Sequence, residues 1–89
     1  MGQSFQVGRG DFTIGRKPGE GGIQIDDPTV SQRHALIRCM SRVCRLYDVG
    51  SANGTKVDDV VIQGVTLHNG DILRFGEAEV QFVHEDSPG

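Results

Sequence analysis

At 89 residues, with 36 % apolar and 6 % aromatic residues, 13 glycines and no tryptophan, the chain is one domain with enough apolar material for a core. Its net charge of −3 argues against general binding to nucleic acid or anionic membranes, which needs a basic face. No apolar run approaches the roughly 20 residues of a membrane span.

The leading residues carry no signal-peptide pattern, so an intracellular setting, cytoplasmic or nuclear, is expected. Met1-Gly2 has the start of a myristoylation motif, but Gln6 stands where Ser or Thr is required. Met1 to Gln3 and Glu85 to Gly89 are polar and bear Gly or Pro, so frayed ends around an ordered core of about residues 4–84 are expected. Residues 1–89 read as a single domain excised from a longer chain.

Taken in order, Phe5 and Val7, then Phe12 and Ile14, alternate with polar residues as short strands do. Lys17 to Gly22 is a flexible loop, and Ile23 and Ile25 alternate again. Asp26-Asp27-Pro28 stops that strand, because proline cannot donate to a ladder. Thr29 to Arg33 is a connection. His34 to Met40 and Val43 to Asp48 read as a hairpin, with Ala35, Ile37 and Cys39 on one face and Cys44 and Leu46 on the matching one. Lys56-Val57 and Val60 to Ile62 flank a turn at Asp58-Asp59. Val65 and Leu67 precede a turn at His68 to Asp71, and a hairpin around Gly76 closes the chain. No helix-length amphipathic segment is present, and strands recur about every 8–12 residues, the spacing of an antiparallel sandwich or barrel.

Cys39 and Cys44 flank the first hairpin turn and are candidate cross-strand neighbours. A disulfide requires suitable geometry; two small buried thiols in a reduced compartment is the expected state. His34, His68 and His84 have no ligand spacing with the cysteines, so neither a metal nor another cofactor is expected.

The least ordinary run is Asp48 to Thr55. Asn53-Gly54 is a turn signal. Asp48, Ser51 and Thr55 add side chains able to tie down loop amides. A plain hairpin needs only the Asn-Gly pair, so the loop is expected to hold the Asn53 amide at a fixed angle, as a grip on another chain's backbone.

Three motifs in order, Gly15-Arg16, Ser31-Gln32-Arg33-His34 and Asp48 followed by Ser51-Ala52-Asn53-Gly54-Thr55, resemble the forkhead-associated (FHA) domain. Leu67, Gly70-Asp71 and Gly76 resemble its closing hairpin. The resemblance implies an all-β, FHA/SMAD-like fold: a twisted sandwich of about eleven short, mostly antiparallel strands with functional loops at one end. It also implies a monomeric module that binds a phosphothreonine-containing protein or peptide, or a phosphothreonine segment of its own full-length chain, in signalling or regulated assembly. By position, Arg16 would pair with the phosphate, Ser31 would hydrogen-bond it, and Asn53 would hold the peptide backbone. Gly15, His34, Asp48, Ser51, Gly54 and Thr55 would build and brace the loops. The side-chain chemistry agrees: a guanidinium fork suits phosphate oxygens, and a carboxamide offers both donor and acceptor to an extended peptide.

Two positions depart from the family. Gln32 stands where a basic residue or Asn often helps the phosphate, and Ala52 stands where Thr or Ser is common, so one full charge rather than two is expected in the pocket. Arg33 lies one place along. With Lys56 to Asp59, it belongs to the variable loops expected to read the third residue after the phosphothreonine. Two other classes of function share some of these features. An FHA-like fold can bind a folded partner without phosphate. Ser31, His34 and Asp48 superficially spell a hydrolytic triad, but neither a G-x-S-x-G elbow nor a helix accompanies them, so no enzyme is expected.

Overall fold

The computed structural model describes residues 3–6, as backbone alone, and residues 9–83. Val7, His84 and the outermost residues at both ends lie outside the described residues.

Among the described residues, ten strands form two five-stranded sheets. One sheet has the order β1 (Gln3–Gln6), β10 (Ala78–Val83), β9 (Ile72–Phe75), β6 (Thr55–Val57), β7 (Val60–Val61). The other has the order β3 (Ile23–Gln24), β2 (Gly10–Gly15), β4 (Ala35–Met40), β5 (Val43–Asp48), β8 (Gly64–Leu67). Pairing is antiparallel except between β1 and β10 and between β2 and β3. The described strands thus number ten rather than about eleven. The connections at residues 25–34 and 49–54 carry no strand: the Thr29, Ser31, Gly50, Ser51, Ala52 and Gly54 amides bond to side chains instead of to a ladder.

Period-two alternation sends one face of each strand inward. Ile14, Ala35, Ile37 and Leu46 from one sheet meet Leu73, Phe75, Val80 and Phe82 from the other, and all are essentially sealed from solvent. Each of these except the small Ala35 contributes about 1.5–3 kcal/mol by leaving water. Val30 and Ile25 plug the end of the sandwich from the β3–β4 connection, which pins that connection to the core.

The β4–β5 hairpin sets Cys39 directly opposite Cys44, with Cα atoms 4.0 Å apart, and the two are joined as a disulfide. The expectation of two free thiols is thereby corrected. Sequence spacing left the register open, whereas the two-residue turn at Ser41-Arg42 makes 39 and 44 an opposed pair. The Asp58-Asp59 turn has both residues at positive φ (49° and 69°), the mirror-image geometry that joins two strands in a tight hairpin.

Candidate functional site

Three loops converge at one end of the sandwich. The first leaves β2 at Gly15. A Cβ there would lie 2.1 Å from the Gln32 carbonyl oxygen and 2.9 Å from that of Ser31, so only glycine lets β2 run this close to the 31–34 connection. Backbone bonds then zip the two segments together: Arg16 N–H to Ser31 O at 2.9 Å and Lys17 N–H to Gln32 O at 3.0 Å. Arg16 is placed beside Ser31 by backbone, leaving its guanidinium for other work. That side chain is half-buried, against the full exposure its loop position suggests, and its Nε is buried without a hydrogen-bond partner.

The second and third loops are joined through Ser31 and His34. The Ala52 N–H donates to Ser31 Oγ at 3.0 Å. This fills one acceptor site of the hydroxyl and leaves its proton to be donated outward. His34 is wholly buried, edge-on to the Phe75 ring at 5.6 Å between centroids. Its Nδ1 accepts the Ser31 N–H at 3.1 Å, which places the ring proton on Nε2, 2.8 Å from the Gly54 carbonyl to which it donates. Both ring nitrogens are therefore engaged with backbone. The Asp48 carboxylate is turned to its own loop, so Ser31, His34 and Asp48 do not form a proton relay.

Asp48 organises the third loop. One of its oxygens accepts the Gly50 and Ser51 amides at 2.8 and 3.0 Å. The other accepts the Ser51 and Thr55 hydroxyls at 2.5 and 2.7 Å. Burial pushes the Asp48 carboxyl up, but the bonds from Ser51, Thr55 and Gly50 outweigh it and hold the group at about 2. The Ser51 hydroxyl in turn accepts the Gly54 N–H at 2.9 Å. Gly54 takes the left-handed conformation at φ 87°, whereas Asn53 does not. The Asn-Gly turn therefore uses the left-handed freedom of its glycine only, and what Asn53 contributes to the loop is its side-chain amide.

The Asn53 side chain is exposed, and its Nδ2 donates to the Thr29 carbonyl at 2.7 Å. Gln32, Arg33 and Ala52 are exposed as well. Arg33 precedes β4 rather than lying in it. Thr29 was not singled out from sequence, although Asp27-Pro28-Thr29 carries the signal of a side-chain-capped turn. Asp27 Oδ1 accepts both the Thr29 N–H and the Thr29 hydroxyl, at 2.8 and 2.5 Å, and the hydroxyl and amide of Thr29 hold the Asp27 carboxyl below its usual range.

A half-buried arginine with an unpartnered Nε, a serine hydroxyl and an anchored carboxamide on three convergent loops give this small β-sandwich a polar end. The FHA domain family model matches residues 12–76, and the chain belongs to that family. It is 35 % identical over 79 residues to the FHA domain-containing protein FhaA of Mycobacterium tuberculosis, spanning 89 % of this chain and 15 % of that one. It is 35 % identical over 82 residues to the glycogen accumulation regulator GarA of the same organism, spanning 92 % of this chain and 50 % of GarA. An oxoglutarate dehydrogenase inhibitor of Corynebacterium diphtheriae is 38 % identical over 82 residues, 92 % of this chain and 57 % of that protein. The chain thus spans from under a sixth to little more than half the length of these relatives. The crystal structure of the FhaA FHA domain complexed with the intracellular domain of Rv3910 superposes with a TM-score of 0.77 at 36 % identity, covering 84 % of this chain and 81 % of that one. A structure from a study of phosphothreonine-dependent FHA domain interactions gives 0.76 at 36 % identity, covering 82 % and 75 %. Among the described residues, no helix is long and apolar enough to cross a membrane.

Proposed function

We propose that the chain is a phosphothreonine-peptide-binding module, in which Arg16 and Ser31 hold the phosphate and Asn53 holds the peptide backbone. The observation that carries this is the buried, unpartnered Nε of Arg16, a residue that a backbone hydrogen bond joins to Ser31. A buried donor without a partner is costly, and a phosphate with three acceptor oxygens and about −1.5 to −2 charges would satisfy it. The phosphothreonine dependence studied in one FHA relative supports the reading. The regulatory names of GarA and of the dehydrogenase inhibitor suggest a role in signalling through a partner protein. Gln32, Arg33 and Ala52 form the exposed rim that a bound peptide would cross.

The test is calorimetric titration of a peptide pool with a fixed phosphothreonine and random flanks, and of the same pool unphosphorylated, into the wild type and Arg16→Ala. The phosphorylated pool alone should bind, and Arg16→Ala should weaken it by about 2–5 kcal/mol, which takes a micromolar interaction to the edge of detection. Stability of the variant should be unchanged or slightly higher, because the substitution removes an unsatisfied donor. Equal affinity of the two proteins would overturn the assignment of Arg16. Equal affinity for the two pools would point to phosphate-independent partner binding.

A further inference from the structure

We propose that Thr29 is a positioning residue for Asn53, and that through it the β9–β10 turn sets which end of the Asn53 amide meets a ligand. This rests on the reading of Asn53 as the residue that grips peptide backbone. An exposed asparagine side chain ordinarily samples several rotamers. Here Nδ2 is tied to the Thr29 carbonyl at 2.7 Å, across 24 residues of sequence. With one N–H so committed, Oδ1 and the second N–H remain, and Asn53 is preset to accept an amide proton from an extended chain.

The anchor is itself fixed from both sides. The Thr29 hydroxyl donates to Asp27 Oδ1 and accepts the Glu77 N–H at 2.8 Å, so its single proton and a lone pair are both used. The Thr29 N–H also goes to Asp27 Oδ1. Gly76, at φ 61°, sits so close that a Cβ on it would be 2.3 Å from the Thr29 carbonyl oxygen. The Gly76 N–H donates to the Gly54 carbonyl at 3.1 Å, and Gly54 directly follows Asn53. One turn, Gly76-Glu77, therefore touches both the residue that holds the Asn53 side chain and the backbone that carries it.

Thr29→Val keeps the β-branched shape and removes the hydroxyl that receives Glu77 and reaches Asp27. Holding one rotamer-rich side chain in its binding geometry corresponds to about three- to tenfold in affinity. Titration of the fixed-phosphothreonine pool should find Thr29→Val weaker by that factor and Thr29→Ser, which keeps the hydroxyl, close to wild type. In an Asn53→Ala background Thr29→Val should change nothing further. In the unliganded protein, NMR should find the Asn53 side-chain amide protons exchanging with water several-fold faster in Thr29→Val. An equal loss from Thr29→Val with and without Asn53, or unchanged Asn53 amide exchange, would overturn the proposal by showing Thr29 to be a general structural residue. Should the pool fail to bind even the wild type, the peptide-binding reading fails instead, and the amide exchange still decides whether Thr29 holds Asn53.

Discussion

His34 holds the Gly54 carbonyl at 2.8 Å while its other ring nitrogen holds the Ser31 amide, so one buried imidazole spans two of the three loops of the site. Gly54 O has a second donor in the Gly76 N–H, whereas Ser31 N–H has no second acceptor among its described bonds. His34→Leu should therefore act mainly through Ser31. We expect a loss of about 1–3 kcal/mol in stability, the penalty of an unsatisfied backbone donor, together with weaker phosphopeptide binding. Urea denaturation with hydrogen exchange at the Ser31 amide checks this. Protection at Ser31 that survives the substitution would contradict the bridging role.

Gly15→Ala tests the close approach of β2 to the 31–34 connection. The added methyl would meet backbone oxygens of Gln32 and Ser31, which cannot swing aside as a flexible side chain can. The connection must move, at about 2–4 kcal/mol, and it would carry Ser31 away from Arg16. Both the denaturation midpoint and phosphopeptide affinity should fall. A variant as stable as the wild type would show that the loop has slack.

Asp48 makes the third loop acid-sensitive. Its carboxyl sits at about 2 in the folded protein against the ordinary value of 3.8, so the folded state favours the ionised form. That stabilisation is complete above about pH 4 and is lost as pH falls through 2, because below both values the unfolded and folded chains are equally protonated. Allowing for partial exposure, it amounts to about 1–2 kcal/mol. Urea midpoints at pH 6, 4 and 2.5 should drop over the last interval in the wild type and drop less in Asp48→Asn. Parallel declines would assign the acid sensitivity to other carboxylates.

Gln32 is an exposed, neutral neighbour of Ser31, and Gln32→Arg would add a second charge-assisted donor at the rim of the proposed phosphate site. Screened by water and salt, the gain should be about three- to thirty-fold for a phosphothreonine peptide, shrinking as salt rises. It should also shrink below about pH 6, where the phosphate loses its second charge. The unphosphorylated peptide should gain nothing. An equal gain for both peptides would mean that position 32 acts as a diffuse charge and does not face the phosphate.

Local chemistry alone was enough to read the β4–β5 hairpin. Ala35, Ile37 and Cys39 alternate, as do Cys44 and Leu46, and a half-buried strand has a period of two residues whatever it later packs against. The Asp48 loop was equally visible, because a carboxylate bonding amides two or three residues on is a short-range event. Arg16, Ser31 and Asn53 stood out as motif residues, yet nothing in their spacing indicated a half-buried arginine with an orphaned Nε. The tertiary structure alone decided the remaining features: Gly15 as a point of backbone contact, the Cys39–Cys44 link, and Thr29 as the anchor of Asn53. The link is close in sequence but depended on the register of a turn that composition left open. The Thr29 bonds join residues 24 and 48 positions apart, which meet only after the two sheets have closed on their shared core. Side-chain patterning specifies which face of a strand turns inward; it does not specify which distant loops that closure brings within hydrogen-bonding reach.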